Sequence, residues 1–456
     1  MSDLRSSELT DTGHGGVANG VSRRRFLGLT AAAGASASVA ALAGCGTSGP
    51  GGAGGGGGGG TDSVWVLTDA VENPIQTMAI DAFNRKSSAK MALFTVSNAD
   101  YTNKLRVAMG SPNQPAMFFN WGGGSIAPYV SSGDLVDLTP YLDADPAWKG
   151  SFLPNVLSDG QIDDKYYGIP LRGMQPVVLF YNKTMFAHYG LSTPQTYADL
   201  LAAGQTLKSH GVIPMALGGA DQWPELMWLE IISDRLGGYQ PFKALAADTA
   251  TGWANPVFTQ TLEMIQDLVG RGFFGSSFSS VGYNDGAASA LFGTGRAGMH
   301  LMGTWEYTNQ LSQHASFAAH DMAFTNFPAI SGGAGDPSAV VGNPTNYFSI
   351  TKKAPDISAA VSFLKKEMTS SAYVNKLIST GDVPAINGLS SRLATAPNSQ
   401  FAQWVYAAVQ NASSFELSWD QALPSATATP MLTNLAKVFL KQTTPQQFVS
   451  AMQHVQ

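Results

Sequence analysis

The order of strand and helix patterns constrains the fold of this chain more than any other sequence feature. From residue 63 onward, short β-rich runs alternate with helical patterns. The first series consists of a strand at residues 63–67, a helix from Pro74, a strand at 90–96, a helix at 100–109 and a strand at 116–119. Such a β-α-β-α-β order predicts a largely parallel sheet with helices on both faces.

A second series of the same kind begins near residue 177. It consists of strands at 177–181 and 213–217, helices at 196–208 and 224–236, and further helical patterns at 257–268, 285–291, 357–368 and 429–440. Two α/β lobes fit this length of patterned chain better than one. In parallel sheets of this kind, ligands bind beyond the carboxyl ends of the strands, so the segments after Leu67 and Phe119 are candidate binding regions.

The first 44 residues have the pattern of an export signal. Arg23 and Arg24 precede Phe26 and a charge-free stretch of small and weakly apolar residues that reaches Cys45. A twin-arginine pair followed by such a stretch is typical of the bacterial twin-arginine route. The stretch is too rich in Gly, Ala and Ser for a membrane span, which needs roughly 20 strongly apolar residues. We therefore predict that residues 1–44 are a signal peptide.

Cys45 is the only cysteine of the chain, and it ends the segment Leu42-Ala43-Gly44-Cys45. This segment resembles the lipobox of bacterial lipoproteins, in which the cysteine thiol receives a diacylglyceryl group. Residues 45–62, with seven consecutive glycines from Gly54, then form a flexible tether. The interpretation predicts an extracytoplasmic protein that Cys45 anchors to the cell membrane. A single cysteine also excludes an intramolecular disulfide and a cysteine-based metal cluster.

The charge of the chain argues against nucleic acid as a partner. The chain has 26 basic and 32 acidic residues and a formal net charge of −6 at pH 7. Nucleic-acid binding requires clustered Lys and Arg to meet the phosphates. The seven histidines fall at no metal-ligand spacing, and the sequence contains no nucleophile elbow, zincin motif or Walker loop. We expect neither a metal nor a cofactor.

Several short segments follow one another in a recognisable order. They are Tyr166-Tyr167-Gly168-Ile169-Pro170, residues 177–186, Gly190-Leu191, residues 193–197, residues 291–299 and Gly303-Thr304-Trp305. Together they resemble the family 1 extracellular solute-binding proteins, the maltose-binding-like receptors of carbohydrate ABC importers. The resemblance covers nearly all of residues 63–456.

The resemblance implies a two-lobed, periplasmic-binding-protein-like type II fold in which each lobe is a largely parallel sheet flanked by helices. It implies a hinge that the chain crosses about three times, which we place near Met174, Met299 and Asn343. The corresponding lobes are an N-terminal lobe of residues 63–173 plus 299–342 and a C-terminal lobe of residues 174–298 plus 343–456. Closure of the lobes around a ligand would be a hinge motion.

The same resemblance implies a function and partners. The expected ligand is a neutral sugar, with a di- or oligosaccharide favoured, held in the cleft between the lobes without catalysis. The expected partners are two membrane permease subunits and a cytoplasmic ATPase, and the receptor itself is expected to be a monomer.

A sugar site needs flat apolar surfaces for the C–H faces of the rings and planar polar groups for the hydroxyls. Residues of these types occur where the cleft is expected. The candidates are Glu72, Asn120, Trp121, Arg172, Gln175, Gln222, Trp223, Trp305, Glu306, Trp419 and Asp420. Some have structural alternatives: Glu72 as a solvated loop acid, Arg172 as an ion pair that braces the hinge, and Trp223 as a core or capping residue.

Two other classes of function remain open. A secreted glycoside hydrolase would share the aromatic residues and carboxylates, with two acids about 5 to 9.5 Å apart. A receptor for amino acids or peptides would use the same lobes with a charged clamp. Residues 293–298 also spell the G-x-G-x-x-G pattern of dinucleotide sites, but they follow a helix-like segment and precede a β-like one. A dinucleotide loop requires the reverse order, which argues against nucleotide binding.

Overall fold

A computed structural model describes residues 62–455 of the chain. The predicted signal peptide (residues 1–44, with Arg23 and Arg24) and all but the last residue of the tether (residues 45–62, with Cys45) lie outside the described residues. The strands of the described part are β1 Asp62–Leu67, β2 Met91–Val96, β3 Met117–Asn120, β4 Gln161–Ile162, β5 Lys165–Tyr166, β6 Ile169–Pro170, β7 Gln175–Asn182, β8 Ile213–Ala216, β9 Ala297–Gly303, β10 Met322–Thr325, β11 Val340–Asn343, β12 Tyr347–Ile350 and β13 Phe415–Leu417.

The α-helices of the same range are α1 Glu72–Lys86, α2 Asn98–Met109, α3 Ala127–Ser131, α4 Thr139–Asp143, α5 Pro146–Lys149, α6 Pro154–Ser158, α7 Lys183–His188, α8 Tyr197–Ser209, α9 Trp223–Gly237, α10 Gln240–Ala247, α11 Thr249–Gly252, α12 Pro256–Gly270, α13 Ala287–Gly293, α14 Trp305–Gln313, α15 Ala315–His320, α16 Ile357–Glu367, α17 Ser371–Thr380, α18 Ser390–Ala394, α19 Ser399–Gln410, α20 Trp419–Ala422, α21 Ser425–Phe439 and α22 Pro445–Gln453. Short 3-10 helices cover Gly123–Ser125, Gly219–Asp221 and Phe278–Ser280. Among these described helices, none is long and apolar enough to cross a membrane.

Most elements predicted from the sequence are present, with ends that shift by a few residues. Helix α8 begins where the pattern placed it, because Thr196 and Asp199 form a capping box that satisfies free N–H groups of the first turn. Strand β3 is buried at all four positions, as expected for an internal strand of a sheet covered on both faces.

The first sheet has the strand order β2-β1-β3-β12-β6. Strands β2, β1 and β3 are parallel, whereas β12 is antiparallel to both of its neighbours. All strands except β12 therefore run in one direction, so the predicted largely parallel sheet is confirmed for this lobe.

The second sheet has the order β13-β11-β7-β9-β8, and β10 pairs with the far end of β7. Strand β7 is antiparallel to β9, β10 and β11, while β8 is parallel to β9 and β13 is parallel to β11. Here again a single strand, β7, runs against the others. Each sheet thus contains one reversed strand, and each reversed strand directly follows a passage between the lobes.

The chain passes between the lobes at three places. The first is residues 171–174, between β6 and β7, and the second is residues 344–346, between β11 and β12. The third follows α17, where Met174 donates its backbone N–H to the carbonyl of Val383 at 2.9 Å. The first two agree with the passages placed near Met174 and Asn343.

The passage placed near Met299 is corrected by the sheet pairing. Met299 lies in the middle of β9, between β7 and β8 inside the second sheet. Residues 297–343 consequently belong to the second lobe, and β12 with α16 returns to the first. The assignment of 299–342 to the N-terminal lobe and of all of 343–456 to the C-terminal lobe is corrected in the same way.

Each lobe has its own hydrophobic core. The first core gathers buried side chains of β1, β3, β12 and α16, such as Val66, Phe118 and Phe363. The second core is larger and includes Trp228 and Trp253, both of them fully buried. The two lobes are therefore separately packed bodies joined by the three passages, which is the arrangement that allows hinge motion.

Candidate functional site

The carboxyl edges of the two sheets face each other across the hinge. Strand β6 ends at the edge where β7 begins, and β11 ends at the edge where β12 begins. The reversed strands β7 and β12 therefore start at the carboxyl edges of their sheets. Ligands of open α/β sheets bind beyond such edges. All eleven candidate residues lie at these two edges, in the segments that follow strand ends or at the start of β7, or on the first passage between the lobes.

Three aromatic side chains of the second lobe, Trp223, Tyr283 and Trp305, form what we call the aromatic wall. The ring centroids of Trp223 and Trp305 are 6.1 Å apart, and Tyr283 meets Trp223 edge-on at 5.1 Å. Trp223 begins α9 and Trp305 begins α14, so two distant segments bring the indoles together. Both indoles are partly exposed, and the ring of Trp305 lies over Gly303, where any side chain would collide with it. The wall can therefore offer a flat apolar surface to a ligand.

Glu306 does not reach the cleft, although the sequence placed it among the ligand contacts. Its carboxylate is fully buried and accepts hydrogen bonds from Tyr283 Oη at 2.9 Å, Ser289 Oγ at 2.8 Å and Gln310 Nε2 at 2.6 Å. Burial alone would raise the pKa of Glu306, but nearby His300 and these donors bring it below its usual value. Glu306 is corrected to a buried anion that fixes the hydroxyl of Tyr283.

Trp419 is corrected for a similar reason. Its side chain is fully buried in the core of the second lobe, where it stacks on Phe242 with centroids 5.0 Å apart and rings inclined by 8°. Its indole N–H donates to Glu416 Oε1 at 2.5 Å. No face of this indole is open to a sugar ring. The carboxyl of its neighbour Asp420 lies 3.0 Å from Ser418 Oγ, within hydrogen-bond distance.

The first lobe contributes Trp121 at the end of β3. This indole is partly exposed and is held edge-on by Phe119 at 4.9 Å and by Tyr101 at 5.9 Å. Asn120 is buried, and its amide is used within the lobe: Oδ1 accepts from Gly122 N at 3.0 Å and Nδ2 donates to Ser349 Oγ at 2.9 Å. Asn120 therefore shapes the turn that presents Trp121.

Arg172 lies in a cluster of charges at the first passage between the lobes, together with Asp69, Glu72 and Asp382. We call these four residues the hinge ion cluster. Arg172 is 3.2 Å from Glu72, 3.3 Å from Asp382 and 3.6 Å from Asp69, and Asp382 also accepts the backbone N–H of Gly173 at 3.0 Å. This geometry matches the hinge-bracing alternative for Arg172. Glu72 is buried, which differs from the solvated loop acid considered for it.

Polar groups at the second passage were not among the residues selected from the sequence. Asn343 is the antiparallel partner of Gln175, and both are buried. Asn343 Oδ1 and Asn346 Nδ2 have no hydrogen-bond partner among the described residues, and neither has Trp223 Nε1. Buried amides normally find a partner, because leaving them unpaired costs free energy. The sequence signal that could have identified these polar groups is the pair Asn343 and Asn346, which lies on either side of Pro344 at the passage placed near Asn343.

Gln222 completes the set. It precedes Trp223 with a positive φ of 63°, a backbone conformation that is uncommon for residues other than glycine. The turn sets the start of α9 and thereby the direction of Trp223. Within residues 62–455, no group of three or more His, Cys, Asp or Glu side chains is arranged to hold a metal ion.

Two α/β lobes whose carboxyl edges face each other, joined by three passages of the chain, define the class of two-lobed binding proteins. Comparison with known families makes the assignment specific. Residues 69–375 match the model of the bacterial extracellular solute-binding protein family, and the chain belongs to that family.

Curated relatives match over shorter stretches. An ABC transporter extracellular-binding protein of Pyrococcus horikoshii is 27% identical over 204 residues, which is 44% of each chain. The melibiose/raffinose/stachyose-binding protein of Bacillus subtilis is 27% identical over 158 residues, which is 34% of this chain and 35% of that protein. In these matches the chain spans less than half the length of either relative.

Solved structures match over nearly the full described chain. A structure from work on xylan utilization by Caldanaerobius polysaccharolyticus has a TM-score of 0.77 and 27% identity, covering 86% of this chain and 99% of that one. A chitin oligosaccharide binding protein has a TM-score of 0.74 and 22% identity, covering 87% and 98%. At these identities the likeness establishes the two-lobed fold.

Proposed function

We propose that this protein is the receptor of an ABC importer, which binds a neutral di- or oligosaccharide between its lobes and releases it unchanged. The observation that carries the proposal is the aromatic wall at the carboxyl edge of the second sheet. Trp223 and Trp305 are partly exposed, 6.1 Å apart and held by a packed second layer. Stacked or tilted indoles of this kind suit the C–H faces of sugar rings.

The polar groups near the hinge support a neutral ligand. Gln175, Asn343 and Asn346 carry amides, which both donate and accept and therefore suit hydroxyl groups. The nearest charges belong to the hinge ion cluster, where Arg172 already contacts three carboxylates. A receptor for amino acids would instead need a free cation for the ligand's carboxylate. The sugar names borne by the relatives point the same way.

The importer partners and the membrane anchor belong to the same proposal. An importer receptor delivers its ligand to two permease subunits that a cytoplasmic ATPase drives. The lipobox-like segment at Cys45 and the pair Arg23 and Arg24 support export by the twin-arginine route and lipid anchoring. Labelling of cells with a fatty-acid analogue should mark the wild-type protein and leave Cys45→Ala unlabelled; labelling of both would remove the anchor from the proposal.

The direct test is a thermal-shift screen against neutral mono- and oligosaccharides, amino acids and peptides, with chromatography of each sugar afterwards. A ligand at a hundred times its Kd should stabilise the fold by about 2.7 kcal/mol. Stabilisation by one class of sugar that is recovered intact would support the proposal. Cleaved sugar would indicate a glycoside hydrolase, and stabilisation by amino acids or peptides alone would indicate a different receptor class.

A variant of the aromatic wall sharpens this test. Trp305→Ala removes one stacking surface and should weaken sugar binding by about 2 kcal/mol, roughly thirtyfold in Kd, measured by calorimetry. The matched control is Trp404→Ala. Trp404 is also a partly exposed indole of the second lobe, but it packs on Phe324 of β10. Equal losses in both variants would mean that the aromatic wall is not the sugar surface.

A further inference from the structure

We infer that the lobes close through a direct contact that requires glycine at position 124, which makes Gly124 a positioning residue for ligand binding. We call Gly122, Gly123 and Gly124 of the first lobe the glycine turn and residues 417–423 of the second lobe the facing segment. The contact joins Gly123 and Gly124 of the glycine turn to the facing segment. The inference deepens the proposed function and depends on it only for its effect on sugar affinity.

The two backbones approach each other too closely for a side chain. A Cβ atom on Gly124 would lie 2.7 Å from the carbonyl oxygens of Ala422 and Leu423 and 2.9 Å from the carbonyl carbon of Leu423. A Cβ on Gly123 would lie 2.7 Å from Leu417 Cδ2. The three atoms nearest to position 124 all belong to the other lobe, and all are backbone atoms, which cannot turn aside as a flexible side chain could.

The facing segment is fixed to the core of the second lobe and cannot move independently of it. Trp419 is fully buried in the second core, and its backbone N–H donates to Glu230 Oε1 at 2.6 Å. Ser418 Oγ donates to the same oxygen at 2.7 Å, and Leu423 is buried. Since a segment anchored near both ends resists local displacement, the lobes themselves must separate to make room for a methyl group at position 124.

Among the three glycines, Gly124 isolates this contact. Gly122 and Gly123 have φ values of 79° and 52°, so a side chain there would strain the turn whether or not the lobes meet. The φ of Gly124 lies outside the left-handed region, so the turn can accept alanine in the open state. Gly124→Ala should therefore leave each lobe intact and penalise only the closed arrangement.

Closure is coupled to affinity because a ligand in the cleft gains its second set of contacts only when the lobes meet. If a substitution lowers the closed population, the apparent Kd rises by the same factor. The glycine turn directly follows Trp121, so the contact lies next to the candidate ligand surface of the first lobe.

A second contact between the lobes provides a readout that needs no ligand. Asn98 at the start of α2 donates from Nδ2 to Asn284 Oδ1 at 3.2 Å, and both residues are exposed. Cysteines at these two positions can be joined by a short bis-maleimide only when the lobes are close. The variant Asn98→Cys/Asn284→Cys, in a Cys45→Ser background, reports the rate at which the lobes meet.

We expect Gly124→Ala to slow this cross-linking at least tenfold and to raise the Kd for the sugar that stabilises the wild type by a similar factor. The matched control is Gly110→Ala in the same lobe, where φ is −80° and a Cβ would meet nothing closer than 3.7 Å. Thermal unfolding of both variants verifies that each lobe is folded.

The outcomes separate the two proposals. Equal cross-linking rates in Gly124→Ala and Gly110→Ala, or no cross-linking in either, would overturn the inference. Slow cross-linking in Gly124→Ala alone would support it even if none of the sugars in the screen binds the wild type, in which case the proposed function falls and the closure contact stands.

Discussion

Two clusters of buried charge border the cleft, and they are neutralised in different ways. The hinge ion cluster sets one guanidinium, Arg172, against three carboxylates. The second cluster, which we call the carboxyl cluster, consists of Asp420 in the facing segment and of Glu230 and Glu416 next to it. Its hydrogen-bond donors are Ser418 and Trp419, both neutral.

The hinge ion cluster is held by a permanent cation. Burial alone would lower the pKa of Arg172, but the surrounding carboxylates raise it above its usual value, so the guanidinium stays charged. Three carboxylates for one cation leave an excess of negative charge. Consistent with this, burial raises the pKa of Glu72 well above its usual value although Arg172 opposes the shift.

The carboxyl cluster relies on protons instead. Burial, reinforced by Asp420, raises the pKa of Glu230 to about 8, and burial raises the pKa of Asp420 to about 6 and that of Glu416 well above its usual value. Ser418 has a single hydroxyl proton but lies within hydrogen-bond distance of both Glu230 and Asp420. A proton on one of the two carboxyls, which that group donates to the Ser418 hydroxyl oxygen, resolves that conflict. The hinge ion cluster therefore has a permanent cation among its carboxylates, whereas the support of the facing segment depends on protons and should weaken as the pH rises.

The largest effect is expected from removing the cation. Arg172→Met leaves three carboxylates without their partner in a mostly buried site and should lower the free energy of unfolding by about 3 to 5 kcal/mol, measured by urea denaturation. The control is Arg271→Met, since Arg271 pairs with Asp267 on an exposed helix surface at 2.6 Å. We expect about 0.5 kcal/mol or less there. A loss below about 1 kcal/mol for Arg172→Met would mean that protons, not the guanidinium, neutralise the hinge.

An intermediate effect is expected from Glu230→Gln, and it should depend on pH. The folded pKa of Glu230 is about 8 and its ordinary value is 4.5, so between these values the folded state holds a proton that the unfolded state has lost. The contribution of Glu230 to the unfolding free energy is therefore largest below pH 4.5 and falls as the pH rises towards 8. The fall attributable to this group is on the order of a few kcal/mol.

Glutamine keeps the acceptor oxygen for Ser418 and Trp419 but cannot ionise, so Glu230→Gln should flatten this part of the stability profile. Denaturation between pH 5 and pH 8 measures the slope. Glu263→Gln, on the exposed surface of α12, serves as the control and should follow the wild type. Parallel profiles for wild type and Glu230→Gln would show that Glu230 is ionised in the folded protein and that the two clusters are alike.

The sequence predicted local structure well because local structure depends on local patterns. The β-like segment that was noted after the G-x-G-x-x-G pattern is strand β9, Ala297–Gly303. Its sheet was misassigned because pairing with β7 and β8 is decided by contacts with distant residues, which the pattern does not contain. The two passages that agree with the structure, near Met174 and Asn343, were placed from the family resemblance and not from a local pattern.

The candidate site was predictable to the level of its strand edges but not of its side chains. Trp305 and Trp419 have the same residue type and each follows a strand end, yet one is partly exposed and the other stacks on Phe242 inside the core. Glu306 likewise follows Trp305 but turns into a buried network. Whether a side chain faces the cleft depends on helix rotation and packing, and neither can be derived from residue type and spacing alone.

The smallest effect is expected from Asp69→Asn, which changes only the outermost charge of the hinge ion cluster. Asp69 Oδ1 accepts the backbone N–H groups of Val71 and Glu72 at 2.8 and 3.0 Å, and asparagine can keep both bonds. Its other oxygen is 3.6 Å from Arg172, and the side chain is one-third exposed, so solvent already screens the pair. Removing one of the excess negative charges offsets the lost attraction. We expect a change within about 1 kcal/mol in the free energy of unfolding, measured by urea denaturation.

Asp382→Asn should lower the free energy of unfolding more, because that side chain is only 3% exposed and lies 3.3 Å from Arg172. If Asp69→Asn cost as much as Arg172→Met, the four residues would act as one cooperative unit, and the contrast between a cation-held hinge and a proton-held facing segment would extend to the cluster's outermost residue.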